Sequence, residues 1–520
     1  MPEEAPNQNQ EKPKKMLLDR VDMIVGGVFA VLIVATGVAM FTVDSSYLYG
    51  DVANSEEVIR TSGALDIAYD QPLTTYEPTA MGVLERDYLT NTYEGLVRFD
   101  RDFNLEPALA LSWGMLDDDL WQFKLRPNVK FHDGSNFGGE DVISSIERAQ
   151  IHKDSNIADL VEHVEKVTEV EANVIQIKTD EPDATLLSKL TLLPMVPSEL
   201  EADVTEPVGT GPYVFLREAD DEWQFARFDN YWGEAPSFPE LNISYISDKL
   251  ARYEALISGK VNVLGQVPPV FVSALLEQDY KVASLPSLEV HFFMFDSESE
   301  DSIFRHEEAR NAVAYALDVP GLTDLASEFA VPASQFMSRG VFGYNPDLEP
   351  YFYDITSAKK LLRNTGKTNW ETTLDLPEGL EGLGEYVVEK LEDAGITVTV
   401  DIWDAESYEE LIRSGASDFY FLAWRSDTGD ATDFFTNVVH SRGDLNGGVF
   451  EDNGMDDLIE AATQDVMEAT RLDKLQELSE LVREKVIGVP LFETDSLVGV
   501  SPGLNWEPRM DNLIFAHDIS

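Results

Sequence analysis

The chain contains no cysteine, which excludes disulfides, thiolate metal sites, a cysteine nucleophile and a lipid-modified cysteine anchor together. Histidine is scarce as well. The seven histidines are scattered, with no pair at the spacing that puts two ligands on one helix face, so no structural zinc or other metal site is expected, with carboxylate ligands as the alternative. Positive charge is the third shortage: 38 Lys and Arg stand against 96 Asp and Glu, a formal net charge of −58. Nucleic acid is excluded as a partner, because binding it needs a basic patch that displaces counterions. The same imbalance strains a compact state by self-repulsion unless high salt shortens the screening length. The sequence therefore predicts a protein of an extreme halophile. No Gly-x-Ser-x-Gly elbow, His-Glu-x-x-His motif or glycine-rich phosphate loop occurs. A hydrolase working through paired carboxylates remains as an alternative, but in so acidic a chain such pairs arise by chance and carry no information. Neither an enzyme nor a cofactor is expected.

What is present is a chain of 520 residues with 43% hydrophobic content, enough for two or three well-cored domains. The one long uncharged run is Met23–Val43. As a helix it spans about 31 Å, matching a hydrocarbon core of about 30 Å. Lys12, Lys14, Lys15 and Arg20 precede it, and Asp44, Asp51, Glu56 and Glu57 follow. This charge asymmetry predicts an N-terminus inside the cell, a single-pass anchor and an extracellular remainder. A signal peptide cut near Gly37-Val38-Ala39 is the rival reading.

Beyond the anchor, α/β patterning dominates. Glu85–Val97 reads as a helix running to the Tyr93-Glu94-Gly95 turn. Hairpins are expected around Asp117-Asp118-Asp119, around Ala172-Asn173, and between Tyr213–Arg217 and Trp223–Phe228. Pro207-Val208-Gly209-Thr210-Gly211-Pro212-Tyr213, with two glycines and two prolines, suits a fixed crossing between lobes. Leu241–Ile246, the helix 249–258 and Val261–Leu264 make one βαβ unit. Glu371–Leu376, a helix over Leu380–Ala394 and Ile396–Trp403 make another, with Leu383, Val387 and Leu391 at helical spacing. A helix over Glu406–Ser414 then leads to the apolar strand Phe419–Trp424, which ends in the polar loop Arg425-Ser426-Asp427-Thr428-Gly429-Asp430. Ligands in open α/β sheets bind at such carboxyl ends, where strand order reverses. That loop is the expected floor of a ligand site, and an ordinary acidic surface loop is the alternative.

Several collinear motifs resemble the extracellular solute-binding proteins of peptide and nickel ABC importers, family 5. They include Leu89-Thr90-Asn91-Thr92-Tyr93-Glu94-Gly95-Leu96-Val97, Phe123-Lys124-Leu125-Arg126, Val129-Lys130-Phe131-His132-Asp133-Gly134 and Pro207–Tyr213. Asn230-Tyr231-Trp232-Gly233, Ala309–Asp318, Gly340–Pro346 and Ala358-Lys359-Lys360-Leu361-Leu362 continue the series in the same order. The resemblance runs from about Ile67 to the C-terminus. It implies a class II periplasmic-binding-protein-like α/β fold of two hinged lobes plus an extra domain, here preceded by one transmembrane helix. The implied layout is a cytoplasmic tail 1–22, the anchor 23–43 and a tether 44–54. A discontinuous lobe I then takes 55–82, 207–301 and 492–520, an extra domain 83–206, and lobe II 302–491.

The resemblance also implies a monomeric receptor that captures di- or oligopeptides and delivers them to ABC permease subunits. A sensor for another solute, such as a sugar or a metal chelate, is the alternative. Trp424-Arg425-Ser426-Asp427-Thr428-Gly429-Asp430 matches the loop from which peptide-binding relatives present an aspartate to the peptide's α-amino group, which places that role on Asp427. The expected ligand-contacting set is Asp427, Trp424, Arg425, Tyr93, Glu94 and Phe293, with Gly209, Gly211 and Pro212 at the hinge. Asp430 and Asp433 are expected to cap the helix that follows. Dipeptide receptors carry an arginine near the preceding βα loop to grip the ligand carboxylate. Leu376-Pro377-Glu378-Gly379-Leu380-Glu381-Gly382 has no basic residue, which argues against a strict dipeptide receptor and leaves longer peptides and other solutes open.

Overall fold

The computed structural model describes residues 63–520, Gly448 excepted. The expected membrane segment Met23–Val43 lies outside the described residues, and among those no helix is long and apolar enough to cross a membrane.

Two long antiparallel strands, Lys281–Phe295 and Gly488–Val500, organise the molecule. Lys281 to Pro286 pairs with Val500 to Asp495, and Val290 to Met294 pairs with Glu493 to Gly488; between these stretches the register slips. The slip has a local cause, since Pro286 has no N–H to give the ladder and Leu288 adopts φ +59°. On one side of the slip the sheet continues through Val263–Leu264, Ala64–Tyr69, Glu240–Tyr245, Glu222–Arg227 and Tyr213–Ala219. On the other it continues through Phe419–Arg425, Glu371–Pro377 and Thr397–Trp403. One eleven-stranded sheet thus passes through both lobes and is irregular at the crossing.

Each half is built on parallel strands. Glu371–Pro377 lies between Thr397–Trp403 and Phe419–Arg425 and is parallel to both, so strand order reverses beside the Phe419 strand. The connecting helix Glu381–Ala394 buries Leu383, Val387 and Leu391 and is closed by Gly395 at φ +101°, a left-handed cap that glycine adopts without penalty. In the other half Ala64–Tyr69 is inserted between Glu240–Tyr245 and Val263–Leu264. The βαβ unit expected at 241–264 is therefore split by a strand from 180 residues earlier in the chain, which no local pattern could reveal.

Apolar cores mark the parts. One runs from Leu288 to Phe492 and a second from Leu96 to Met195. The second contains the antiparallel sheet Ala110–Asp117, Leu120–Leu125, Val174–Thr179 and Val164–Glu171 with the helix Gly139–Ile151. A third joins Leu65 and Ile67 to Tyr213, Phe225, Ile243, Val500 and Ile519. Tyr88, Leu89 and Tyr93 belong to this third core, so the segment after Val83 packs with the first lobe before the chain enters the extra domain at Leu96. The helix expected over Glu85–Val97 is Val83–Leu89 alone; Val97–Phe99 is a strand paired with Leu105–Pro107. The long strand Lys281–Phe295 escaped the sequence reading, because Pro286 and Ser287 break its pattern.

Candidate functional site

The Phe419–Arg425 strand is buried through Ala423 and opens only at its last two residues, so the chain leaves the core at Arg425. Short bonds hold the loop that follows. Ser426 N–H donates to the Leu288 carbonyl (3.3 Å), tying the loop to the irregular crossing. The Ser426 and Thr428 hydroxyls both donate to Asp433 at 2.8 Å. Asp430 accepts from the Thr432 N–H at 3.0 Å and pairs with Arg471 at 2.5 Å. Asp430 thus reaches the first turn, although Ala431, not Asp430, is the N-cap of the helix Thr432–Phe434 and no side chain caps it. Asp433 does not cap it either: it braces the loop from below, and burial pushes its carboxyl up to about 7 against the two hydroxyl bonds.

Asp427 is left at the tip, its side chain 30% exposed, and it reaches across the cleft. Its Oδ2 meets Arg86 Nη2 at 2.5 Å and its Oδ1 lies 3.2 Å from Arg425 Nε. Burial raises the Asp427 carboxyl, but Arg86 and Arg425 outweigh burial and hold it below the ordinary carboxylate range. Asp427 is accordingly ionised. Arg86 belongs to the helix Val83–Leu89 of the first lobe, so this ion pair bridges the lobes. Two further contacts tie the segment between Leu96 and Met195 to the half containing the Phe419 strand. The Phe103 ring covers Gly429 so closely that a Cβ there would lie 2.1 Å from it, and the Ala184 N–H donates to the Thr463 carbonyl at 3.0 Å.

Between the lobes is a cavity of about 100 Å³, room for several waters at roughly 10–15 Å³ each. Beside it, sharing Arg98, Arg509, Phe515 and His517, opens a second space of about 320 Å³. Of the residues expected at the site, Asp427, Arg425, Tyr93, Glu94 and Pro212 line the first cavity. Tyr93 and Glu94, like Asp427 and Arg425, already have partners. The Tyr93 hydroxyl donates to the Tyr76 carbonyl at 2.9 Å, and Glu94 accepts from Trp232, Thr210 and Tyr231 at 2.8, 2.7 and 3.0 Å.

The remaining expected residues sit elsewhere. Phe293 is fully buried against Phe419, with ring centroids 4.9 Å apart, because this end of its strand is buried on both faces. Trp424 points away from the cavity and packs edge-on against Phe434 at 6.2 Å, as alternation with Arg425 requires. Gly209 and Gly211 lie against the backbone of Asn91 and Thr92, where a Cβ would come within 2.0 and 2.6 Å of carbonyl oxygens. They allow this stretch to pack closely against 91–92. Arg86, Arg98, Arg509 and His517, which complete the cavity wall, were not anticipated. They come from two stretches of chain, Arg86 and Arg98 on either side of Leu89–Val97 and Arg509 and His517 in the C-terminal tail.

The arrangement offers an ionised carboxylate, several guanidinium groups and little else that is reactive. Among the described residues no group of three or more His, Asp or Glu side chains is placed to hold a metal ion. Such groups can hold a charged ligand by ion pairs.

Comparison with known proteins agrees. Residues 104–446 match the family described as bacterial extracellular solute-binding proteins, family 5 Middle. Heme-binding protein A of Haemophilus influenzae is 26% identical over 459 residues, covering 79% of this chain and 83% of that protein. The dipeptide-binding protein of Escherichia coli K12 is 24% identical over 377 residues, covering 64% and 70%. Among solved structures, HbpA2 from Haemophilus parasuis superposes with a TM-score of 0.79 at 19% identity, covering 88% of this chain and 99% of that one. The periplasmic binding protein DppA from Helicobacter pylori, in complex with the peptide STSA, gives 0.74 at 20% identity, covering 88% and 98%. The chain belongs to the family 5 extracellular solute-binding proteins of ABC importers.

Proposed function

We propose that this protein captures peptides in the cleft between its lobes and delivers them to an ABC permease, with Asp427 receiving the ligand's ammonium group. The observation that carries this reading is the position of Asp427. It is an ionised carboxylate at the carboxyl end of a parallel strand, beside a strand-order reversal, facing the interlobe cavity. Arg86 pairs with Asp427 where an ammonium would sit. Binding therefore exchanges one cation for another on the same carboxylate, and the cost of stripping water from Asp427 has already been met. The relatives support the class of solute without fixing it, since their names include dipeptide, glutathione and heme binders. Delivery to a permease, a monomeric state and attachment through Met23–Val43 belong to the same proposal. The test is mass spectrometry of whatever solute is released when the purified full-length chain is denatured. Peptides are expected. A sugar, a heme or a metal chelate as the sole released solute would replace the peptide reading while leaving the family assignment in place.

A further inference from the structure

The paired strands Val97–Phe99 and Leu105–Pro107 form a hairpin whose tip parts company with its base. Val97 and Leu105 pack into the core between Leu96 and Met195, whereas Phe103, in the turn, packs against the core that holds the Phe419 strand. Phe103 does so in a backbone conformation that a bulky residue rarely adopts, φ +66°. The turn is built to hold it there. The Asp100 carboxylate accepts the N–H groups of Asp102 and Asn104 at 2.9 and 2.8 Å, and the Phe103 N–H donates to the Asp100 carbonyl at 3.2 Å. Arg509 donates to the Phe99 carbonyl at 2.8 Å, and the Phe99 ring stacks on that of Phe103 with centroids 4.1 Å apart.

The ring held in this way meets the loop that carries Asp427. It lies over Gly429, two residues beyond Asp427, where any Cβ would collide with it. Gly429 is fixed from its other side, because its carbonyl accepts the Phe342 N–H at 2.8 Å. Phe99 and Phe103 also line the same cavity as Asp427 and Arg425. Backbone strain of this kind persists only where the surroundings over-determine it, and it clusters at ligand clamps and active sites. A hairpin turn has no need of it, since glycine or asparagine takes a positive φ at little cost. What phenylalanine adds at this position is volume inside the cleft.

We propose that Phe103 is a specificity-determining residue, a ring that closes the cleft beside the Asp427 loop and limits the size of the group a ligand carries next to its anchored ammonium. This limit rests on Asp427 receiving that ammonium. In a peptide the first side chain branches from the carbon that bears the ammonium, so it enters the space that Phe103 walls. Small first residues fit there, and large ones collide with a ring backed by Phe99. Discrimination of this kind comes from a clash built against the wrong ligand, not from a contact made to the right one.

The experiment is calorimetric titration of the full-length chain at one fixed high salt concentration with Ala-Ala-Ala, Trp-Ala-Ala and Ala-Ala-Trp. The parent is expected to bind Ala-Ala-Ala at least about tenfold more tightly than Trp-Ala-Ala, with Ala-Ala-Trp much closer to Ala-Ala-Ala. Phe103→Gly accepts φ +66° without strain and should bring the affinity ratio of Ala-Ala-Ala to Trp-Ala-Ala near one. Phe103→Asn should do the same and keeps the test open where the glycine variant does not fold. A ratio unchanged in the variants, even with a lowered melting temperature, or a parent that binds Ala-Ala-Ala and Trp-Ala-Ala equally, overturns the role of Phe103 and leaves the peptide reading in place. No binding of any of the three peptides to the parent overturns the peptide reading, and the role of Phe103 with it.

Discussion

If Asp427 latches the lobes together, neutralising it should open the ligand-free protein. In Asp427→Asn the side chain keeps its shape and one acceptor but loses the charge that Arg86 at 2.5 Å and Arg425 at 3.2 Å share. At an effective dielectric of about 20, one such contact at about 4 Å is worth roughly 4 kcal/mol before solvent is counted. Asp427 is 30% exposed and exposed pairs fall to about 0–1 kcal/mol, so a net loss of about 2 kcal/mol in the closed form is the reasonable middle. That shifts the open-to-closed ratio by roughly thirtyfold. Because the chain has no cysteine, spin labels at Asp220→Cys and Glu392→Cys, exposed positions in opposite lobes, report the separation without background. Pulsed electron resonance should show longer and broader distances in Asp427→Asn than in the parent. Arg86→Gln should show the same change, and the double variant no more, since both remove one contact. Distance distributions that are identical in the parent and both variants would refute the latch.

Three other outcomes follow from the same geometry. Gly429→Ala places a Cβ 2.1 Å from Phe103 at a residue with φ +66°, so it should lower the melting temperature, and an unchanged melting temperature would show that the Phe103 contact is dispensable. Asp433 has its folded-state carboxyl raised to about 7, so its contribution to stability falls as pH rises from the ordinary carboxylate range through 7. The melting temperature of Asp433→Asn relative to the parent should therefore increase between pH 5 and pH 8; a difference that does not change with pH would contradict the buried, raised carboxyl. The net charge of −58 should make dialysis into low salt lower the melting temperature sharply, as self-repulsion is unscreened, and a melting temperature unaffected by salt would remove the halophile reading.

The parts of this molecule legible in the sequence are those set by local periodicity. The helix Glu381–Ala394 and the strand Phe419–Arg425 lie within a residue or two of where spacing and glycine placement put them; the polar break after the apolar run marks the loop, and only the family resemblance singles out Asp427 within it. What escaped depends on pairing between distant segments. The crossing strands Lys281–Phe295 and Gly488–Val500 are continuous in space, but Pro286 interrupts one and Thr494-Asp495-Ser496 makes the other read as two short pieces. The glycine-rich stretch at 207–213 looked like a crossing because glycine and proline mark both hinges and tight packing, and only the approach to Thr92 distinguishes them. The arginines of the cleft carry no signal in one dimension. Arg86 reads as the polar face of a short helix, and Arg509 as one residue in a loop-rich tail.

The most direct test of the central claim is a binding titration of Ala-Ala-Ala, with its amino terminus free or acetylated, against the parent and Asp427→Ala. If Asp427 takes the ammonium, acetylation and the substitution should each weaken binding by about 2–5 kcal/mol, roughly thirtyfold or more. Combined, they should weaken it no further, because they remove the same contact. Losses below about tenfold from either change, or losses that add when the two are combined, would contradict the assignment of Asp427 as the ammonium anchor.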